Sequence, residues 1–341
     1  MRKVMAVLAL AGLAALATSN AVQAQDIYKF SKEIAVGGEG GWDYLSIDAP
    51  AHRLYVAHAT KVVVIDTQAG KVVGEIPDTP GVHGFEIAAD LGRGFSSNGR
   101  EDKVAIYDLK TLKLIQKVDT GGNPDGILYE PSKKEVWAFN GRGKSATVID
   151  AQTGKVVATI PLEGKPEAAQ ADSKAGKIYV NMEDLNVIKV MDIATHKVTA
   201  TWPIAPGEGA TGLAFDVATH RLFIACDKFI VMMDSTNGKV VYTVPAGEGV
   251  DAAAFDPATK LAFASAGETG IVTVAHEDSA SLLKVVQTLK TRQGARTMTL
   301  DPLTHAIYLA TTDYEPRPAG SKERPKAVAG TFRVLVYQMT K

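Results

Sequence analysis

The sequence lacks most of the features that point directly to a chemistry. Its 341 residues contain one cysteine, Cys226, which excludes an intrachain disulfide, and without a CxxCH motif a covalent c-type haem is excluded as well. There is no HExxH motif or other clustered spacing of metal ligands. Charge is balanced, with 37 basic and 38 acidic residues and a net charge of −1. Because binding along a phosphate backbone needs a clustered basic face, nucleic acid is not an expected partner.

Long apolar runs are absent beyond the N-terminus. There, a short basic region precedes the apolar stretch Val4–Ala17, and small residues follow in "VQA" at Val22–Ala24. This order predicts a Sec-type signal peptide over residues 1–24, cleaved after Ala24, and a mature chain that is periplasmic or secreted. An uncleaved anchor is the weaker alternative, because the apolar run is shorter than the roughly 20 residues that span a bilayer.

What the sequence does have is a repeat. Apolar runs such as "VVVID" and "ATVID" end in an aspartate, and successive aspartates are 42 residues apart. Most of these runs lead through a turn such as "TQAG" into a second strand pattern, which is typical of a hairpin. The repeated aspartates are Asp66, Asp108, Asp150, Asp192 and Asp234.

A second pattern precedes each run, with a polar turn and a strand led by an aromatic residue, as in "DAPAHRLYVAH". The aromatics are Tyr55, Phe95, Trp137, Tyr179, Phe223, Phe263 and Tyr308. Four short strands in every 40–45 residues or so predict an all-β fold, a seven-bladed β-propeller of four-stranded antiparallel blades. The seventh copy lacks its last strand, so Tyr28–Gly38 is expected to complete it and close the ring. Residues 25–341 are then a single domain.

The repeat resembles that of the YVTN-repeat propellers of the YncE-like group, which runs roughly LYVTN, VxVID, TGKVVxTIPVG and PxGLAFDP. This chain has "LYVAH", "VVVID", "TGKVVATIPLEGKP" and "TGLAFDVATHRLFIA". The resemblance covers Tyr28 to about Gln338 and implies the propeller fold. At the third position after the aromatic, Asn98 and Asn140 fit the repeat, whereas five copies depart from it: His58, Met182, Cys226, Ala266 and Thr311. The motif consists mostly of turn and core residues, so it implies little about function.

Candidate site residues follow from their position in the repeat. Twelve residues before the seven aromatics stand Asp43, His83, Asp125, Glu167, Thr211, Asp251 and Arg296. This position is the entry to the innermost strand, so these seven side chains are predicted to form a ring around the axis at one face. The residue that follows is small in six copies, with Tyr44 the exception. Trp42, in the glycine-rich loop that enters the first blade, is a candidate stacking wall.

Two further sets of residues are expected on the same face. The aromatic-led strand returns there and brings His58, Asn98 and Asn140 near the ring, together with Asn181, Glu183, Asp227 and Glu268. In the last blade, an insertion of about twenty residues, 313–331, separates two strands, and long loops in compact domains are usually functional or disordered. We expect a lid or an interaction arm, with contacts from Tyr314, Arg317, Lys322, Arg324 and Lys326.

Two functions from different classes fit these residues. The first is a binding or scaffold protein of the cell envelope, a monomer whose polar, mostly acidic axial face binds a small molecule, a glycan or an envelope protein. A hydrated structural ring without a ligand is the alternative to this interpretation. Nucleic-acid binding through Arg296 and the basic part of the insertion is the weakest hypothesis.

The second function is a metal-assisted hydrolase, which the resemblance of the fold to lactonase-like propellers implies. The candidate catalytic residues are His83, Asp125, Glu167 and Arg296. A divalent cation such as Ca²⁺ would polarise a carbonyl and activate water, with His83 or a carboxylate as general base and Arg296 stabilising the oxyanion. The candidate metal ligands are Asp43, Asp125, Glu167 and Asp251.

Overall fold

The computed structural model describes residues 26–316 and 325–340. The predicted signal peptide and three predicted contacts of the insertion, Arg317, Lys322 and Arg324, lie outside the described residues. The described chain forms 28 strands in seven four-stranded antiparallel sheets, which confirms the predicted seven-bladed β-propeller. Within the described ranges, no helix is long and apolar enough to cross a membrane.

Each sheet is one blade, and its strands run in order from the axis to the rim. Blade 1 contains β2 Trp42–Asp48, β3 Arg53–His58, β4 Lys61–Asp66 and β5 Lys71–Ile76; blade 2 contains β6 Val82–Ala88, β7 Arg93–Asn98, β8 Lys103–Asp108 and β9 Leu114–Asp119. Blade 3 contains β10 Pro124–Glu130, β11 Glu135–Asn140, β12 Ser145–Asp150 and β13 Val156–Pro161; blade 4 contains β14 Pro166–Asp172, β15 Lys177–Met182, β16 Val187–Asp192 and β17 Lys197–Pro203. Blade 5 contains β18 Gly212–Asp216, β19 Arg221–Cys226, β20 Phe229–Asp234 and β21 Val240–Pro245; blade 6 contains β22 Val250–Asp256, β23 Leu261–Ala266, β24 Ile271–Ser279 and β25 Leu282–Lys290. Blade 7 contains β26 Met298–Leu300, β27 Ile307–Thr311, β28 Arg333–Met339 and, at its rim, β1 Tyr28–Ala35.

The N-terminal strand closes the propeller. Strand β1 pairs antiparallel with β28, from Tyr28 opposite Met339 to Ala35 opposite Arg333. Tyr28 is fully buried, and its hydroxyl donates to the carbonyl oxygen of His305 at 2.8 Å. The predicted completion of the last blade by the first strand is therefore confirmed, and it covers what would otherwise be an open edge of β28.

The core lies between neighbouring blades. Phe95 of blade 2, for example, packs in one cluster with Tyr129 and Val136 of blade 3. The second and third strands of each blade are buried on both faces because a blade stands on either side of them. Outer strands such as β5 and β17 instead alternate between exposed and half-buried residues. The leading aromatics belong to the second strands, which explains why they recur in every copy.

The repeated aspartates hold the hairpin turns between the third and fourth strands. Asp150 accepts hydrogen bonds from the backbone N–H groups of Gln152 at 3.0 Å and Thr153 at 2.7 Å. The hydrogen bond from the Thr153 N–H is the main reason that the pKa of Asp150 lies below its usual range. These aspartates stabilise turns, far from the residues predicted at the axis.

Candidate functional site

Five of the seven predicted ring residues stand at irregularities of the innermost strands. Pairing of the first strand with the second shifts register between Trp42 and Leu45 in blade 1 and between Val82 and Phe85 in blade 2. Equivalent shifts occur in blades 3, 4 and 6. In each case the unpaired stretch contains the ring residue, so a β-bulge releases its side chain from the regular alternation of the strand.

The residue after the ring position is small because the next blade is close. A Cβ atom added to Gly126 would lie 2.4 Å from the carbonyl oxygen of Glu167, and one added to Gly212 would lie 2.5 Å from the carbonyl carbon of Ala252. Neither position leaves room for a larger side chain without moving backbone. The small residues therefore let adjacent inner strands approach each other around the axis.

His83 is held between two carboxylates from neighbouring blades. Its Nδ1 atom lies 2.7 Å from Oδ2 of Asp43 and 3.5 Å from Oδ1 of Asp125. Burial favours the neutral imidazole, but the hydrogen bond to Asp43 and the charges of Asp125 and Asp43 outweigh it and raise the pKa of His83 to about 9. His83 is therefore protonated at neutral pH and donates to Asp43. One ligand atom from each of the three residues lies within 4.8 Å of the others.

Glu167 links the blade 4 side of the ring to the blade 1 side. Lys165 Nζ lies 2.7 Å from Glu167 Oε1 and forms a second ion pair with Glu183. The hydroxyl of Tyr44 donates to Glu167 Oε2 at 3.2 Å. Because Tyr44 belongs to blade 1 and Glu167 to blade 4, this hydrogen bond crosses the axis.

The ring carboxylates are buried close to one another. Asp125 and Glu167 are only 7% and 5% exposed. Burial and then the charge of Asp125 raise the pKa of Glu167 to about 8, although Lys165 opposes the shift. Burial raises the pKa of Asp125 to about 7, although the charge of His83 opposes this shift. Burial also raises the pKa of Asp251 to about 6, and the charge of Asp43 adds to this shift. Acids that retain their protons in this way would be stabilised as anions by an added cation.

Arg296 joins blade 6 to blade 1. Its Nε donates to Oδ2 of Asp251 at 2.6 Å, and Nη2 donates to the carbonyl oxygen of Trp42. The guanidinium carbon lies 5.2 Å from the centroid of the Trp42 ring, a cation–π contact. Trp42 is 6% exposed and packs on Phe332. Because Arg296 also lies over the Trp42 ring, no face of this ring is left on which a ligand could stack.

Four residues predicted near the ring are buried instead, and one of them, Asn181, donates to the backbone carbonyl of Gly212 at 2.9 Å. Asn98 and Asn140 are fully buried and hydrogen-bond to side chains of their own blades. His58 is 1% exposed and stacks on Phe332 with 4.0 Å between ring centroids. Burial lowers the pKa of His58 to about 4. These side chains contribute to packing within and between blades.

Two other predicted positions lie at the margin of the site. Thr211 supplies no charge to the ring, and its hydroxyl donates to the carbonyl oxygen of Val250 at 2.9 Å. Tyr314 forms an isolated antiparallel bridge with Ala327, and its ring lies beside Gly294, two residues before Arg296. The described part of the insertion therefore packs against the propeller close to the ring.

Two residues of the site were not predicted as members of it. Lys165 precedes Glu167 in the loop "EGKPEA", and no charge pattern in the sequence marks its double pairing. Tyr44 is visible in the sequence as the one bulky side chain at a position that is otherwise small. Its hydrogen bond to Glu167 depends on the width of the axial channel, which the sequence does not give.

Comparison with known proteins supports the fold and goes no further. No family model matches the sequence, and no curated protein matches it. The solved structures that are similar include a chain of the mitotic checkpoint complex, with a TM-score of 0.75, 14% identity, and coverage of 100% of this chain and 99% of that chain. The RRP9 WD40 repeats have a TM-score of 0.74 and 10% identity over 90% of this chain and 97% of that chain. Hydrazine synthase of Kuenenia stuttgartiensis has a TM-score of 0.72 and 15% identity over 79% and 92%. At these identities the likeness shows a seven-bladed propeller and no specific function.

Proposed function

We propose that this protein is a binding protein of the cell envelope whose axial ring holds a divalent cation. The propeller fold is consistent with a binding or scaffold role. The observation that carries the proposal is the cluster of Asp43, His83 and Asp125, whose ligand atoms lie within 4.8 Å of one another. Glu167 is electrostatically linked to the same cluster through Asp125. Carboxylate oxygens are the ligands that Ca²⁺ and similar hard cations prefer.

The balance of charge in the ring supports this proposal. If every group were ionised, five carboxylates would face three cationic side chains in the network of ion pairs around the axis. Burial is the main cause of the raised pKa values of Asp125, Glu167 and Asp251, and the charge of a neighbouring carboxylate adds to each of them. A divalent ion would supply the missing charge and release protons on binding, because metal ligands must be deprotonated. The carboxylates are Asp43, Asp125, Glu167, Glu183 and Asp251, and the cationic groups are His83, Lys165 and Arg296.

A lactonase-like hydrolase is the second candidate, because the same cation would serve it. A hydrolase would also need a general base and a group that stabilises the oxyanion. Without a cation, His83 has a pKa of about 9 and is protonated at neutral pH, so it could act as a base only after a bound cation had displaced that proton. Arg296 is held by Asp251 and by the carbonyl oxygen of Trp42, so only its remaining N–H groups could reach an oxyanion, and only from this fixed position. The geometry supports cation binding more directly than hydrolysis.

Titration calorimetry tests the proposal. The chain without residues 1–24, freed of metal with a chelator and dialysed, is titrated at neutral pH with CaCl₂, MnCl₂ and ZnCl₂. We expect at least one cation to bind, and Asp125→Asn to weaken that binding by roughly tenfold or more, about 1.4 kcal/mol. The matched control is Asp227→Asn, an exposed aspartate directly after β19. No binding by any of the three cations, or equal effects of the two variants, would contradict the proposal.

The proposal also includes export and membership in the YncE-like group. Both rest on the sequence, namely on the leader of residues 1–24 and on motifs such as "VVVID". N-terminal sequencing of protein recovered from the periplasm or the medium should begin at Gln25.

Turnover of a small lactone by the wild type that Asp125→Asn abolishes would favour the hydrolase instead.

A further inference from the structure

A cavity of about 310 Å³ lies on the propeller axis beyond the ring. It is lined by innermost-strand residues of all seven blades, which follow the ring residues along the chain. Small residues such as Gly126 and Ala168 leave the space, and apolar side chains such as Leu45, Ile127 and Leu213 border it. The volume is at the lower end of the range of about 300–1,000 Å³ that small-molecule pockets occupy.

Tyr44 separates this cavity from the ring. Its side chain lines the cavity, and its hydroxyl donates to Glu167 of the ring. It fits against Gly84 of the next blade, where an added Cβ would lie 3.7 Å from the Tyr44 ring. The equivalent position carries glycine, alanine or threonine in the other blades, so a single tyrosine fills the axis at this level. The cavity is therefore a compartment distinct from the proposed cation site.

Glu86 is the carboxylate among the residues that line the cavity. Burial raises the pKa of its carboxyl to about 7, and a hydrogen bond from the backbone N–H of Tyr129 opposes the shift. Within residues 26–316 and 325–340, no lysine, arginine or histidine forms an ion pair with Glu86. A partly buried carboxylate without a cationic partner is costly to keep ionised, and a ligand that brings a positive charge would remove that cost.

The lining suits an organic ammonium better than a metal ion. Ca²⁺ takes about six to eight oxygen ligands, whereas one carboxylate lines this cavity and the amide nitrogen of Gln170 is bonded to the Leu213 carbonyl at 2.9 Å. A primary ammonium needs three acceptors. Glu86 supplies one. The innermost strands have no strand partner on their axial edge, so the others would be backbone carbonyls of the lining other than those of Phe85, Gly212 and Leu213, which already accept from Ser46, Asn181 and Gln170. The apolar residues of the lining fit the hydrocarbon part of such a ligand.

We propose that the axial cavity is a second binding site, which takes a small primary amine with its ammonium group paired to Glu86. This inference does not depend on the proposed cation at the ring. The two sites differ in ligand chemistry and lie on opposite sides of Tyr44.

Benzylamine is the probe, and benzyl alcohol is its uncharged counterpart of the same shape. Binding to the mature chain is measured by ligand-observed NMR and calorimetry at about pH 8, where Glu86 is ionised. We expect benzylamine to bind at least roughly tenfold more tightly than benzyl alcohol. Glu86→Gln should abolish this preference, whereas Glu208→Gln, an exposed carboxylate after β17, should retain it.

Three outcomes would overturn the inference. Equal affinity of the wild type for the amine and the alcohol would do so without reliance on any variant. Unchanged benzylamine binding by Glu86→Gln would place the ammonium elsewhere. Competitive displacement of benzylamine by MnCl₂ would place the amine at the ring. A failure of CaCl₂, MnCl₂ and ZnCl₂ alike to bind would contradict the proposed function and leave the amine site standing.

Discussion

Replacing Glu86 by glutamine should stabilise the protein at neutral and alkaline pH, and not at acid pH. Burial raises the pKa of Glu86 from 4.5 to about 7, so the folded chain holds this proton more tightly than the unfolded chain does. Below about pH 4.5 both states are protonated and the group costs nothing. As pH rises toward 7, the unfolded chain ionises first, and the cost to the wild type grows by about 1.4 kcal/mol per pH unit to about 3 kcal/mol. Glutamine does not ionise and carries no such cost.

Urea unfolding of the wild type and Glu86→Gln across this range measures the effect. The informative quantity is the change with pH in the difference between the two free energies of unfolding, because any pH-independent effect of the amide cancels. We expect the variant to gain about 3 kcal/mol relative to the wild type between about pH 4 and pH 8, or roughly 5 °C in melting temperature. The exposed control Glu208→Gln should show no such trend. A difference that stays constant with pH would refute the description of Glu86 as a partly buried acid without a cationic partner.

Three further predictions concern the ring and the closure of the propeller. The imidazole of His83 should titrate near pH 9 by NMR, and Asp43→Asn should move this pKa toward the usual value because it removes the strongest favourable contact. Arg296→Lys should lower the free energy of unfolding by about 1–2 kcal/mol, because lysine cannot reproduce the planar fork that contacts both Asp251 and Trp42. Tyr28→Ala should cost about 3–5 kcal/mol, because it empties a fully buried position on the strand that closes the last blade.

Each of these predictions has its own control and its own contradictory result. For His83, Asp227→Asn should leave the titration unchanged, and a wild-type value near 6.5 would contradict the bridge between Asp43 and Asp125. For Arg296, the more exposed Arg292→Lys is the control, and equal losses would show that the contact with Trp42 contributes nothing. For Tyr28, Phe30→Ala on the same strand removes a ring that is 55% exposed, and it should cost far less.

The pH dependence of His83 has a defined sign. Its pKa is raised from 6.5 to about 9 in the folded state, so its contribution to stability is complete below about pH 6.5 and is lost as pH rises through about 9. The raised pKa values of Asp125 and Glu167 also favour the folded state at lower pH, because the unfolded chain gives up these protons first. The metal-free protein should therefore be less stable at pH 9 than at pH 6.

The number of blades and their closure could be predicted because both follow from counting. A spacing of 42 residues between hairpin aspartates fixes the unit, and Tyr28–Gly38 is the remaining strand. The ring positions could also be found by a fixed offset from the buried aromatics. The offset does not reveal the β-bulges after Trp42 and Val82, because a bulge depends on how the innermost strand pairs with its partner strand.

A second limit of prediction from the sequence concerns the ends of the second strands, whose side chains were predicted to lie near the ring. Side chains of a strand alternate between its two faces, and in a propeller both faces of a blade meet neighbouring blades. Asn98 and Asn140 stand an odd number of residues from their aromatics and so lie on the opposite face of the same strand, still within the protein. Sequence position placed them at the correct end of the strand, and the pleat determined that they are buried there. Tyr44 and Lys165 depend on distances across the axis, which no local pattern encodes.

Anomalous diffraction from crystals grown with MnCl₂ tests the central claim most directly, because it locates a cation without reference to activity. We expect a peak at the axis, within about 2.6 Å of carboxylate oxygens of Asp43 and Asp125. The peak should be absent in Asp125→Asn and present in Asp227→Asn. A wild-type crystal with no peak at the ring, or with peaks only at exposed carboxylates away from the axis, would contradict the claim.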